Sequence, residues 1–149
     1  AMVDETAALL GSVWNGRQSS VWTDPLNWDE GDVPDATSAV SILPQVLQQG
    51  PSMPALAADI TVEHLRVGTG SSIDLGGFRA TVTGNLDAVG GITNGVVSMP
   101  AGGLLGGTLP SLEIGGGVVL QRPTVTTGAV EIADGALSIR DQPLTIRVP

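Results

Sequence analysis

His64 is the sole histidine of the chain, and so the one imidazole that could serve as a general base. It stands between Glu63 and Leu65 in a segment of period two, which turns its side chain outward. A Ser-His-Asp relay also needs a nucleophile elbow or its equivalent, and no G-x-S-x-G occurs. With one histidine and no cysteine there is no zinc-ligand set. Carboxylates are more plentiful. Asp24, Asp29, Glu30, Asp32 and Asp35 could offer oxygens to Ca²⁺, yet they lack the D-x-[DN]-x-[DN]-G spacing that preforms a calcium loop and read as a solvated turn region. Glu113 and Glu131 are the kind of pair a polysaccharide-cleaving enzyme would set on one face, and Arg66, Arg79, Arg122 and Arg140 would have to share their groove.

Two further residue sets could bind rather than react. Trp14, Trp22 and Trp28 could stack on sugar rings if their faces are exposed, or could plug the raw end of a stacked-coil fold. The second reading is preferred. Thr81 and Thr83 form a Thr-x-Thr pair of the type used in threonine ladders, but neighbouring segments do not repeat it, so they read as ordinary strand residues. Gly102/Gly103, Gly106/Gly107 and Gly115 to Gly117 neither precede Lys-Ser/Thr nor open a helix, so they are not phosphate loops. They read as corners that need positive φ. No cofactor is expected.

The elements that must carry these residues are short strands. Glycine (21) and proline (10) make the chain turn-rich, while 42% hydrophobic residues make it too apolar for disorder. Aromatic residues are scarce at 3%, so Val, Ile, Leu and Ala must fill a thin core. From Ile60 to Ile146 brief alternating segments recur with glycine at nearly every break, and no helical period interrupts them. Leu65, Val67, Gly68, Gly70 and Ile73 match Leu112, Ile114, Gly115, Gly117 and Leu120 at one constant offset, which suggests a repeated coil. Strands this short suit stacked coils better than a sandwich. A net charge of −9, with no lysine, repels nucleic acid and anionic membranes. No run approaches the roughly 18 apolar residues of a membrane span, so no membrane insertion is expected.

Trp14, Asn15 and Gly16, then Trp22, Asn27, Trp28, Gly31, Val33 and Pro34, followed by a strand from Val40 to Ile42, form a W…NW..G.VP opening. This resembles the opening of many secreted bacterial β-solenoid surface proteins. The segments Thr108 to Ile114, Gly128 to Ile132 and Gly135 to Ile146 continue in the cadence of that group. The resemblance implies an all-β, right-handed β-helix with an N-terminal β-rich cap, in an adhesin-like or autotransporter-like protein of the cell surface, and no catalysis.

The expected organisation is an N-terminal arm (1–12), a Trp-rich capping region (13–58) and solenoid coils (59–149) in one continuous domain. The chain breaks off as though mid-solenoid, which predicts a piece of a longer protein or a subunit completed by a neighbour. Leu144, Ile146 and Val148 would then form an assembly edge. Self-association, end to end or strand to strand, and surface glycans are the expected partners.

Overall fold

The computed structural model describes residues 12–16, 18–29, 31–42, 53–133, 135–139, 142 and 144–146. The arm before Ser12, most of the proline-bearing loop after Pro44, and Val148 lie outside them. In chain order the strands are β1 Ser12–Trp14, β2 Ala39–Ile42, β3 Ile60–Val62, β4 His64–Val67, β5 Ile73–Asp74, β6 Arg79–Val82, β7 Leu86–Ala88 and β8 Ile92–Thr93. They continue with β9 Val96–Met99, β10 Gly103–Leu109, β11 Ser111–Ile114, β12 Gly117–Thr126, β13 Val130–Ile132, β14 Ala136–Ser138 and β15 Leu144–Ile146. A single 3-10 turn, Pro25–Asn27, is the helical element among these residues.

The protein is a β-solenoid of about four turns, all-β as expected. Sheet A runs β1-β2-β4-β7-β10-β12-β14, with β15 also on β12; sheet C runs β13-β11-β9-β6-β3; sheet B joins β5 to β8. Every strand-to-strand pairing is parallel, because each strand lies on its counterpart from a neighbouring coil; only β1 and β2 are also consecutive strands. Isolated bridges extend sheet B's face through Val21, Ala55 and Asp74. Val21 and β1 thus already belong to the stack that the later coils continue.

Stacked coils put each inward residue above its register partner. One column of sheet A holds Val40, Leu65, Leu86, Leu105 and Leu120, all buried. Burying each such leucine is worth roughly 1.5–3 kcal/mol. The neighbouring column starts at Trp14 and passes through Ile42, Val67, Ala88 and Gly107, so the inward side chain shrinks coil by coil as far as Gly107, beyond which Thr124 and Leu144 take the position. Each step from Ile42 to Thr124 also spans fewer residues than the last. Coils up to β8 visit sheets A, B and C, whereas β9 to β14 alternate between C and A alone, so the last of these steps, from Gly107 to Thr124, is the one that omits sheet B.

Two sequence expectations are corrected here. The offset that aligns Leu65 with Leu112 sets β4 of sheet A against β11 of sheet C, so it is not the coil repeat. The real spacing drifts, and a fixed-period comparison cannot follow it. Nor are Gly106 and Gly107 a corner. They lie inside β10, where the register with β12 shifts between Leu105 and Gly107. Gly107 has φ +101°, and a Cβ there would collide with the Ala88 carbonyl oxygen. Gly115 to Gly117 do mark a corner, but none of them has positive φ. Gly116 is needed for closeness, since a Cβ there would lie 2.6 Å from the Gly102 nitrogen.

Gly107→Ala is therefore expected to lower unfolding free energy by roughly 2 kcal/mol or more. Gly117→Ala, whose added methyl meets nothing within 4 Å, should change it by less than about 0.5 kcal/mol. Urea midpoints of the two variants measure the contrast directly.

Candidate functional site

At the first end of the solenoid the three tryptophans come together. Trp14, Trp22 and Trp28 are 0, 2 and 2% exposed, so none of their faces is open to a sugar ring. Trp28 sits edge-on between the other two, with centroids 5.2 Å from Trp14 and 4.8 Å from Trp22. Such pairs add about 0.5–1.5 kcal/mol each beyond burial. The indole N–H of Trp28 donates to the Trp22 carbonyl at 2.9 Å, which satisfies its one polar atom.

Asn27 organises the backbone around this plug. Its side-chain oxygen accepts from the amides of Gln18 and Ser19, both at 2.8 Å, and its NH₂ donates to Ser19 Oγ and the Val21 carbonyl. The returning chain then bridges Trp28 to Trp14 in antiparallel sense, with Asp29 N donating to Val13 O and Asn15 N to Asn27 O. This cross-bridge occupies the outer edge of β1. Asn27 stood in the sequence only as part of the W…NW..G.VP opening; a fully buried Asn between turn residues and Trp28 gives no periodic signal of its role.

The acidic residues nearby serve the same turns. Asp24 caps the 3-10 turn by accepting from Leu26 N, and Asp29 accepts from Asn15 Nδ2. Asp35 accepts from the hydroxyl and amide of Thr37 and from Ser38 Oγ. The hydroxyl of Thr37 comes first among the causes that hold the Asp35 carboxyl below its usual range. That turn therefore gains stability near neutrality and loses it as pH falls through the lowered folded-state value. Glu30 lies outside the described residues, and among those described no three His, Asp or Glu side chains gather to hold a metal.

On the outer face of sheet C, Glu113 and Glu131 are register partners on neighbouring strands. Arg79 grips both oxygens of Glu113 through Nη1 and Nη2, and this hydrogen bonding, followed by the Glu113 charge, raises its own pKa. The pair is one-third or more exposed, so it contributes at most about 1 kcal/mol. Arg66 and Arg79 do not share a face, the first being on sheet A and the second on sheet C; the Arg122 side chain and Arg140 lie outside the described residues.

The outer face of sheet A holds a shallow concavity of about 240 Å³, lined by Ala39, Ser41, His64, Arg66, Asn85 and Asp87 with the backbones of Val40 and Leu65 beneath. His64 is half-buried, and its Nδ1 accepts from Asn85 N at 2.9 Å. Its ring occupies the space where a Cβ of residue 84 would lie, which Gly84 leaves open. Asn85 Oδ1 in turn accepts from Leu104 N at 3.0 Å. Ser41, His64 and Asp87 thus do line one hollow, but an imidazole that accepts at Nδ1 carries its proton on Nε2. That is the opposite tautomer to the one a hydrolytic relay requires.

At the far end, β13 is the last strand of sheet C, and β14 and β15 are the last of sheet A. Leu144, opposite Thr124, is half-buried against the core, and Ile146 pairs with Thr126. Among the described side chains of this end, Ile132 and Ile139 are the exposed aliphatic ones, at 49 and 46%, although Ile132 continues the inward column of Ile114. No family model matches the chain, and neither a curated protein nor a solved structure matches it.

Asn27→Ala is expected to cost about 2 kcal/mol or more, because it removes a buried side chain that makes four hydrogen bonds to the surrounding turn. The same variant should raise acrylamide quenching of tryptophan fluorescence, which is expected to be weak in the native protein.

Proposed function

We propose that this chain is a non-catalytic structural or adhesive module of a secreted bacterial surface protein, and that it continues its β-stack through the end formed by β13, β14 and β15. The observation that carries this reading is the difference between the two ends. At the first, tryptophans fill the core and Trp28 bridges β1. At the other, Ile132 and Ile139 are exposed beside strands that, among the described residues, pair on one side only. Open strand edges with apolar flanks take up further strands.

The extracellular, bacterial assignment leans on the W…NW..G.VP opening, whose Trp14, Asn27 and Trp28 hold the plug together. The absence of catalysis leans on the His64 tautomer and on the engagement of Glu113 by Arg79. A glycan platform made from Trp22 or Trp28 is disfavoured by their burial.

Between copies, an end-to-end filament needs two complementary open ends, whereas a pair joined at like ends needs one. The covered edge of β1 favours the pair. Light scattering over a concentration series should show growth from monomer to dimer, and Ile132→Glu with Ile139→Glu should hold the chain monomeric. Negative-stain images should show discrete doubled rods. A native chain that stays monomeric at every concentration overturns self-association, and long filaments overturn the closed-pair form of it.

A further inference from the structure

The concavity on sheet A lies on the side of the solenoid and owes nothing to its open end. Its polar groups are unequal in what they still have to offer. The acceptors His64 Nδ1 and Asn85 Oδ1 are consumed by the backbone amides of Asn85 and Leu104. What remains is the Nε2–H of His64 and the NH₂ of Asn85, both donors. Arg66, on the outer face of the same strand as His64, is exposed and makes no ion pair or hydrogen bond with any described residue. Ser41 and Asp87 are already held in interactions of their own. The hollow therefore offers two donors and a guanidinium at its rim, beside the one carboxylate of Asp87, the register partner of Arg66, on a chain of net charge −9.

We infer that this concavity binds an acidic sugar, its carboxylate or sulfate group taken by Arg66 and its ring hydroxyls by His64 Nε2–H and Asn85 Nδ2–H. A guanidinium with free donors is suited to a planar or branched oxyanion. At about 240 Å³ the space is smaller than a pocket for a drug-sized molecule and of the order of one sugar ring. A peptide bound by strand addition is ruled out on this face, because β2, β4 and β7 each have partners on both sides. Polyanions such as nucleic acid are repelled by the net charge, which leaves one anionic group on an otherwise neutral carrier. The donors are held in place: Gly84 admits the imidazole, and Asn85 is anchored through both its amide and its side-chain oxygen.

Saturation-transfer NMR and calorimetry with methyl glucuronide, methyl glucoside, glucose 6-sulfate and acetate test this on the full chain. At least one of the two anionic sugars should bind about tenfold or more tightly than the neutral glucoside, and more tightly than acetate. Which of the two prevails identifies carboxylate or sulfate as the source. Arg66→Gln should remove the preference. Asn85→Asp keeps an oxygen for Leu104 N but adds a negative charge, and should reduce binding of the anionic sugar by tenfold or more. Circular dichroism confirms that both variants fold, and the exposed Arg66 makes its replacement safe. Equal binding of the glucoside, acetate binding that equals that of the sugars, no binding of either anionic sugar at millimolar concentration, or an Arg66→Gln variant that keeps the preference would each overturn the assignment. A monomeric chain could still bind, so failure here is distinct from failure of the end-stacking reading.

Discussion

Parallel stacking imposes one requirement on which everything else in this molecule depends: a coil is complete only when another lies on it. A strand three or four residues long cannot bury its own side chains, and half its backbone groups point along the stack rather than within the coil. Interior coils meet the condition on both sides. The first coil cannot, and the chain answers by turning back on itself, so that Trp28 crosses β1 in the antiparallel sense and the indoles cover the core behind it. That reversal explains why the residues around the plug are turn formers. Asp24, Asn27, Asp29 and Asp35 hold backbone that no ladder holds.

The lateral surfaces are free of this requirement, and their chemistry is local. Sheet C pairs its charges: Arg79 engages Glu113. Sheet A does not, because the backbone takes the acceptors of His64 and Asn85 and leaves their donors outward beside an unpaired guanidinium. Two faces of one stack, built from the same alternating strands, thus come to opposite electrostatic outcomes.

Much of the architecture was legible in the sequence because the period-two pattern of Val, Ile and Leu survives in every strand. Val62, Leu65, Val67, Ile73, Leu86, Leu112 and Ile114 are all buried. Glycine breaks such as Gly115 to Gly117 marked corners, whereas Gly106 and Gly107 lie inside β10. The coil repeat was not legible, since the coils keep their register in space while their spacing in sequence drifts. The sheet A hollow was equally hidden: His64, Arg66 and Asn85 meet only when strands some twenty positions apart lie side by side. A sequence names its last strand, whereas exposure depends on which columns run out, and Ile132 runs out before Leu144 does.

The graded column from Trp14 through Ile42, Val67 and Ala88 to Gly107 has a consequence for how the coils find one another. In a solenoid of identical repeats, a strand that docks one coil too early meets an equivalent surface, and the error costs little. Here this position carries a different side chain in each of five successive layers. A coil displaced by one step would press an isoleucine into a space made for valine, or leave an alanine rattling where valine belongs. The taper thus acts as a key cut to a different depth at each position, giving the chain a means of counting its own turns while it folds.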